Sequence, residues 1–127
     1  MNSLNLKPTH KVITTYYTEL NKLATQTKGN VLKEGSVAPL FAPILRYCAN
    51  QFNRTLIEQY TLDKGQKNLY LDGAIVDAFN LIYGIWEAKD DDDRLEKQVL
   101  KKFGDGYPKD NILFQAPQRA ILLNILK

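Results

Sequence analysis

The sequence predicts an α/β (α+β) domain, a small mixed β-sheet flanked by helices in the order ααβββαβα. Three observations carry that prediction. Apolar side chains recur at helical spacing in two long N-terminal segments and again in RLEKQVLKKFG. β-branched and aromatic residues dominate three segments between them, separated by short polar turns. The 127 residues, 44% apolar and 24% charged, suffice for one domain with a modest core (1–127), and no apolar run is long enough to cross a bilayer.

The first helix runs from about Thr9 to Ala24, with Val12, Ile13, Tyr16, Tyr17, Leu20, Leu23 and Ala24 at the apolar spacing and Pro8 just ahead of it. Lys28-Gly29-Asn30 breaks the pattern. A second helix runs from Ser36 to about Phe52 through Val37, Leu40, Phe41, Ile44, Leu45 and Cys48. Pro39 suits a first turn, whereas Pro43 lies deeper, which leaves the start of this helix open by a turn. Thr55–Tyr60 and Asn68–Val76 read as strands around a turn at Asp63-Lys64-Gly65, and Leu81–Lys89 is the next strand. Leu95, Val99, Leu100 and Phe103 make an amphipathic helix ended by Gly104 or Gly106. Asn111–Gln115 is a last strand, and a final helix is expected from about Pro117. That helical pattern stops at RAILLNILK without a capping glycine, so the chain is expected to be an N-terminal fragment of a longer protein.

Composition excludes little else. A formal charge of +3 is compatible with a polyanionic partner without requiring one. The single Cys48 cannot form an internal disulfide, and MNSLNLKPTHKV has no signal-peptide core, so a cytoplasmic location is expected. Cys48 falls on the apolar face of the second helix and reads as a packed thiol. His10, the only histidine, reads as a capping or solvated residue. Neither GxGxxG nor GxxxxGK[ST] is present.

The chemistry concentrates in Leu69–Asp90, LYLDGAIVDAFNLIYGIWEAKD. On a strand Glu87 and Lys89 project to one face and Trp86 and Ala88 to the other, and a hairpin brings Asp72 or Asp77 alongside. Two carboxylates there suit a hard cation such as Mg²⁺, and a neighbouring lysine can hold or activate a water that attacks a phosphodiester. Asp72 is preferred as the metal acid because Gly73 leaves the backbone open to a phosphate, while Asp77 lies nearer the hairpin turn. Asp90–Asp93 precedes a helix and reads as offsetting its dipole rather than as a second metal site. Glu34 stands before Gly35-Ser36 at the entrance to the second helix, able to support a metal or simply to begin a helix. Lys97, Lys101, Lys102 and Lys109 could touch DNA phosphates or form a solvated face, and Tyr107 could stack or pack.

LDGAIVDAFNLIYGIWEAKDDDDRLEKQVLKKFGDGYPKDNILFQ, together with YTELNKL and EGSVAPLFAPILRYCANQF upstream, resembles the N-terminal Mrr-like PD-(D/E)xK nuclease domain of type ISP restriction-modification enzymes. WEAKD…GYPKDNILF is the most specific part. The resemblance implies a restriction-endonuclease-like core and a Mg²⁺-dependent endonuclease acting on double-stranded DNA. It assigns the metal-binding acid to Asp72, the second acid to Glu87, the lysine to Lys89, the supplementary helical acid to Glu34 and a further metal ligand to the Ala88 carbonyl. Asp77 replaces Asp72 if the hairpin register slips, and Leu71 stands where the family often has proline. Helicase-like, methyltransferase and target-recognition domains would share the polypeptide, using ATP and S-adenosylmethionine, in a bacterial cytoplasm. The alternatives are a catalytically silent DNA-binding or protein-docking domain with the same fold, an interaction module with an incidental Glu-x-Lys, and an independent Mrr-like enzyme acting on modified DNA.

Overall fold

The computed structural model describes residues 4–27, 32–90, 95–104 and 111–123. Helix α1 (Lys11–Gln26) begins where the His10 side chain accepts a hydrogen bond from the Val12 N–H at 3.1 Å, which makes His10 a cap. Tyr16 and Leu20 are the buried residues of α1, while Tyr17, at the expected apolar spacing, is half exposed. Helix α2 (Glu34–Asn50) starts two residues earlier than the spacing predicts, and both Pro39 and Pro43 lie inside it. Their missing N–H groups deprive the carbonyls of Gly35 and Pro39 of the usual donor four residues on. Packing holds the helix regardless: Val37 and Ile44 bury against Tyr16 and Leu20 of α1, and Ala42 buries against the sheet. Cys48 is a partly buried member of the α1–α2 cluster, and burial pushes its thiol pKa up.

Five strands form one sheet in the order β1 (Thr55–Asp63), β2 (Asn68–Val76), β3 (Ile82–Ala88), β4 (Ile112–Gln115) and β5 (Ala120–Leu123). Neighbours are antiparallel except β3 and β4, which run parallel and are connected through helix α3 (Leu95–Gly104). The mixed sheet with flanking helices agrees with the expected fold class. The last element does not: Ala120–Leu123 is a strand paired to β4, not the start of a helix. The chain turns back through Pro117, with the Ala116 N–H donating to the Arg119 carbonyl, and a short apolar run after such a turn satisfies either periodicity until an open strand edge captures it.

The sheet is covered on both faces. Leu95 and Val99 of α3 pack with Leu69, Leu71, Ile85, Ile112 and Phe114 on one side. On the other, Ala42 of α2 packs with Leu56, Trp86 and Ala88. Leu100, expected on the inward face of α3, is exposed. Strands β1 and β2 change allegiance midway. Tyr60, Leu62, Leu69 and Leu71 feed the α3 cluster, whereas Leu56 and Ile75 feed the α2 cluster. Leu56 and Tyr60 are an even number of residues apart and would share a face of a regular strand, so the alternation must slip between them. It slips at Gln59, whose φ of 55° is left-handed, opposite Asp72 between the pairs Glu58↔Gly73 and Tyr60↔Leu71.

Candidate active site

Where β1 and β2 slip, β2 and β3 also part. Their ladder ends at Gly73↔Trp86, although one further step would set Asp72 opposite Glu87. Side chains bridge the gap instead. The Ala88 N–H donates to Asp72 Oδ2 at 2.7 Å, and the Asp72 charge lies close enough to act on the Glu87 carboxyl. The Asp72 carboxylate thus occupies the opening between the strands, beside the main chain of β3. Gly73 permits it from beneath, but not by admitting a ligand: a Cβ there would lie 2.8 Å from Trp86 Cε3 and 2.9 Å from Leu56 Cδ1. The sequence-based reason for preferring Asp72, an open backbone at Gly73, is therefore corrected, because Trp86 and Leu56 fill that space.

Glu87 is only 3% exposed, and its Oε1 has no hydrogen-bond partner. Burial above all, and then the adjacent Asp72 charge, push its carboxyl pKa up to about 7 against the opposing pull of Lys102 and Lys89. Lys102 of α3 reaches inward to within 3.9 Å of Glu87 Oε2, so this lysine addresses the site rather than an open helix face. Lys97 and Lys101 are exposed on α3, and Tyr107 and Lys109 lie outside the described residues. Lys89, also buried, is anchored at the end of β3 by its main-chain N–H, which donates to the Gln115 carbonyl at 2.7 Å.

Asp72 also borders a pocket of about 150 Å³ on the α2 side of the sheet, with Glu34, Glu58, Gln59, Trp86 and Ala88 in its wall. Glu87 and Lys89 are absent from that wall because their side chains leave β3 on the α3 side, as Glu-x-Lys alternation requires. Glu34 is thus brought to the pocket beside Asp72, and the Glu34 N–H donates to Asp90 Oδ1. Asp90, 3.6 Å from Lys33, therefore sits at the N-terminus of α2. That corrects its assignment to the helix that follows it. Asp91–Asp93 lie outside the described residues. Asp77 is occupied elsewhere: its carboxylate accepts from the Phe79 and Leu81 N–H groups and the Tyr83 hydroxyl in the β2–β3 turn, and these bonds, together with the Arg54 charge, outweigh its desolvation to hold its pKa down.

Sequence reasoning missed Gln115, which is buried on β4. Its side chain accepts from Trp86 Nε1 at 3.3 Å and donates to the Ala116 carbonyl at 2.8 Å. The Tyr16 hydroxyl, 3.5 Å from Gln115 Nε2, donates to the Pro117 carbonyl at 2.8 Å. This network ties α1 to the strand that supports Lys89, and no local signal marks it.

The donor set fits a hard cation. Asp72 lies beside the main chain of Ala88, its charge acts on Glu87, and one buried Glu87 oxygen lacks a partner. Among the described residues no group of three or more His, Cys, Asp or Glu side chains is close enough to hold an ion.

A five-stranded mixed sheet with helices on both faces, and acids where two strands part, defines a restriction-endonuclease-like core. No family model and no curated protein matches the chain. Among solved structures it is similar to a chain in the cryo-EM structure of a DrdV–DNA complex, with 29% identity and a TM-score of 0.79, covering 90% of this chain and 11% of that one. The chain therefore spans a small part of that protein's length. Among the described residues no helix is long and apolar enough to cross a membrane.

Proposed function

We propose that this domain is a Mg²⁺-dependent endonuclease module that hydrolyses DNA phosphodiesters as the cleavage part of a restriction-modification enzyme, of the Mrr-like, type ISP kind. The observation that carries the reading is the gap between β2 and β3, where Asp72 and Glu87 converge and one buried Glu87 oxygen lacks a partner. Similarity to a protein solved with DNA supports the substrate. Asp72, Glu87 and the Ala88 carbonyl would hold the ion, with Glu34 bordering the pocket on the α2 side of Asp72 as the supplementary acid. Bound there, Mg²⁺ supplies Lewis acidity towards a phosphate oxygen and lowers the pKa of water. Lys89 would orient the attacking water and offset charge developing on the phosphate oxygens as the bond to the leaving sugar oxygen breaks. Specificity would come from other domains of a larger polypeptide, including target-recognition, methyltransferase and helicase-like units, in a bacterial cytoplasm.

A second reading, a catalytically silent DNA-binding or docking domain, draws on Lys102, which sets a resident positive charge against Glu87. Nicking of supercoiled plasmid with Mg²⁺ or Mn²⁺ tests the two, comparing wild type with Asp72→Asn, Glu87→Gln and Lys89→Met. Loss of nicking in all three variants, with folding retained, is expected. Nicking that survives Glu87→Gln and Lys89→Met would refute the nuclease assignment. A folded wild type that neither nicks nor responds to divalent metal favours the silent domain.

A further inference from the structure

We propose that Lys102 is a positioning residue that holds down the divalent-ion affinity of the site, its ammonium competing with the ion for the Glu87 carboxylate. The inference rests on the metal site of the nuclease reading and adds the residue that controls its loading. Helix α3 turns Leu95 and Val99 into the core, and Lys102 follows on the same stripe, at the i, i+4, i+7 spacing. An apolar stripe calls for another leucine or phenylalanine there. The lysine instead is only 19% exposed, with Nζ 3.9 Å from Glu87 Oε2, and the Glu87 side chain is 4% exposed. Drawing an ammonium into such a place costs hydration and side-chain freedom, which pairing with a buried carboxylate offsets.

Two cations thus act on one buried acid, since the charges of Lys102, Lys89 and Asp72 all bear on Glu87. The nuclease reading gives Lys89 a task and leaves Lys102 without one. With these groups ionised, the two lysines cancel the two carboxylates, so the site is already balanced before any ion enters. A divalent ion arriving at Glu87 meets the Lys102 charge at close range, where little water screens it. The ammonium engages Oε2, while Oε1 has no hydrogen-bond partner. Lys102 therefore fixes the carboxylate through one oxygen, leaves the other to the ion, and weakens the binding of that ion by its charge.

The test is calorimetric titration of the purified protein with Mn²⁺ at pH 8 without DNA, each variant first checked for folding by thermal unfolding in EDTA. Lys102→Gln should bind Mn²⁺ about tenfold more tightly than wild type, the scale of one charge removed from beside a divalent ion under partly aqueous screening. Lys102→Arg, which keeps the charge, should bind like wild type. Lys101→Gln, which removes an equal charge from an exposed position on the same helix, should also leave the affinity unchanged. A merely structural role predicts equal or weaker Mn²⁺ binding in Lys102→Gln. That result, with Asp72→Asn still abolishing binding, overturns the inference and leaves the metal site intact. Absence of Mn²⁺ binding in both wild type and Lys102→Gln overturns the inference and the nuclease reading together.

Discussion

Replacing Glu87 with glutamine removes a carboxylate that the fold strains to keep charged. Burial and Asp72 raise its pKa from 4.5 to about 7 in the metal-free protein. Between those values the folded state holds a proton that the unfolded chain has released, so stability falls as pH rises from about 4.5 through about 7 and is level beyond. At about 1.4 kcal/mol per pH decade, the loss approaches about 3 kcal/mol. For a chain of 127 residues this corresponds to a Tm about 10 °C lower at pH 8 than at pH 4.5 from this group alone. Glu87→Gln cannot ionise. It should match wild type near pH 4.5 and exceed it at pH 8 in EDTA, the reverse of what loss of an ordinary salt bridge produces. Divalent cation should restore wild type at pH 8 by binding the folded state in place of the proton, with a smaller effect at pH 5.5 and none in Glu87→Gln. Differential scanning calorimetry across pH, with and without Mg²⁺, reads all of these. A difference between wild type and variant that is the same at pH 4.5 and pH 8, or equal Mg²⁺ stabilisation of both, would refute the reasoning.

Asp72→Asn should abolish the Mg²⁺-induced rise in Tm, whereas Asp77→Ala, which removes only the turn bonds to Phe79, Leu81 and Tyr83, should lower Tm yet preserve the metal response. Gly73→Ala forces a methyl against Trp86 and Leu56 and should destabilise by about 1–3 kcal/mol, with altered fluorescence of the single tryptophan in the native state. Asp90→Ala removes the carboxylate at the start of α2 and should lower stability by about 1 kcal/mol in urea unfolding, with Asp90→Asn recovering most of it.

Local pattern carried most of the fold because its cues are local. Helical spacing from Val12 to Leu23 marked α1, and β-branched and aromatic residues marked β2 with its full bounds. What escaped depends on partners distant in the chain. Two prolines obscured the start of α2 because its first turn is held by Asp90, 56 residues on. Ile121 and Leu122 read as helical until β4 supplied an edge to pair with. In the site, Glu87 and Lys89 leave β3 on the same side, as period-two geometry demands, and Lys102 turns towards them for a reason no spacing rule contains: a buried carboxylate nearby. The slip at Gln59 was invisible because a left-handed glutamine has no sequence signature.

That slip bears on why a carboxylate pair can exist at this place at all. In a regular antiparallel ladder the main-chain groups of facing residues satisfy each other and the side chains stand off the sheet on one face or the other. Asp72 departs from this arrangement: its carboxylate accepts from the Ala88 N–H of the facing strand, in the opening where the ladder has stopped, with the Glu87 carboxyl close enough to feel its charge. Such a departure needs a strand able to change its facing midway, and β2 does so where Leu71 feeds the α3 cluster and Ile75 the α2 cluster. It needs a firm floor as well, supplied by Trp86 against Gly73 and by Gln115 beneath Trp86. The irregular backbone and the converged acids are therefore one feature. A substitution that restores regular alternation across residues 59–60 and 71–73 should close the gap, return Asp72 to one face of the sheet and remove the metal response, even with every acidic side chain retained.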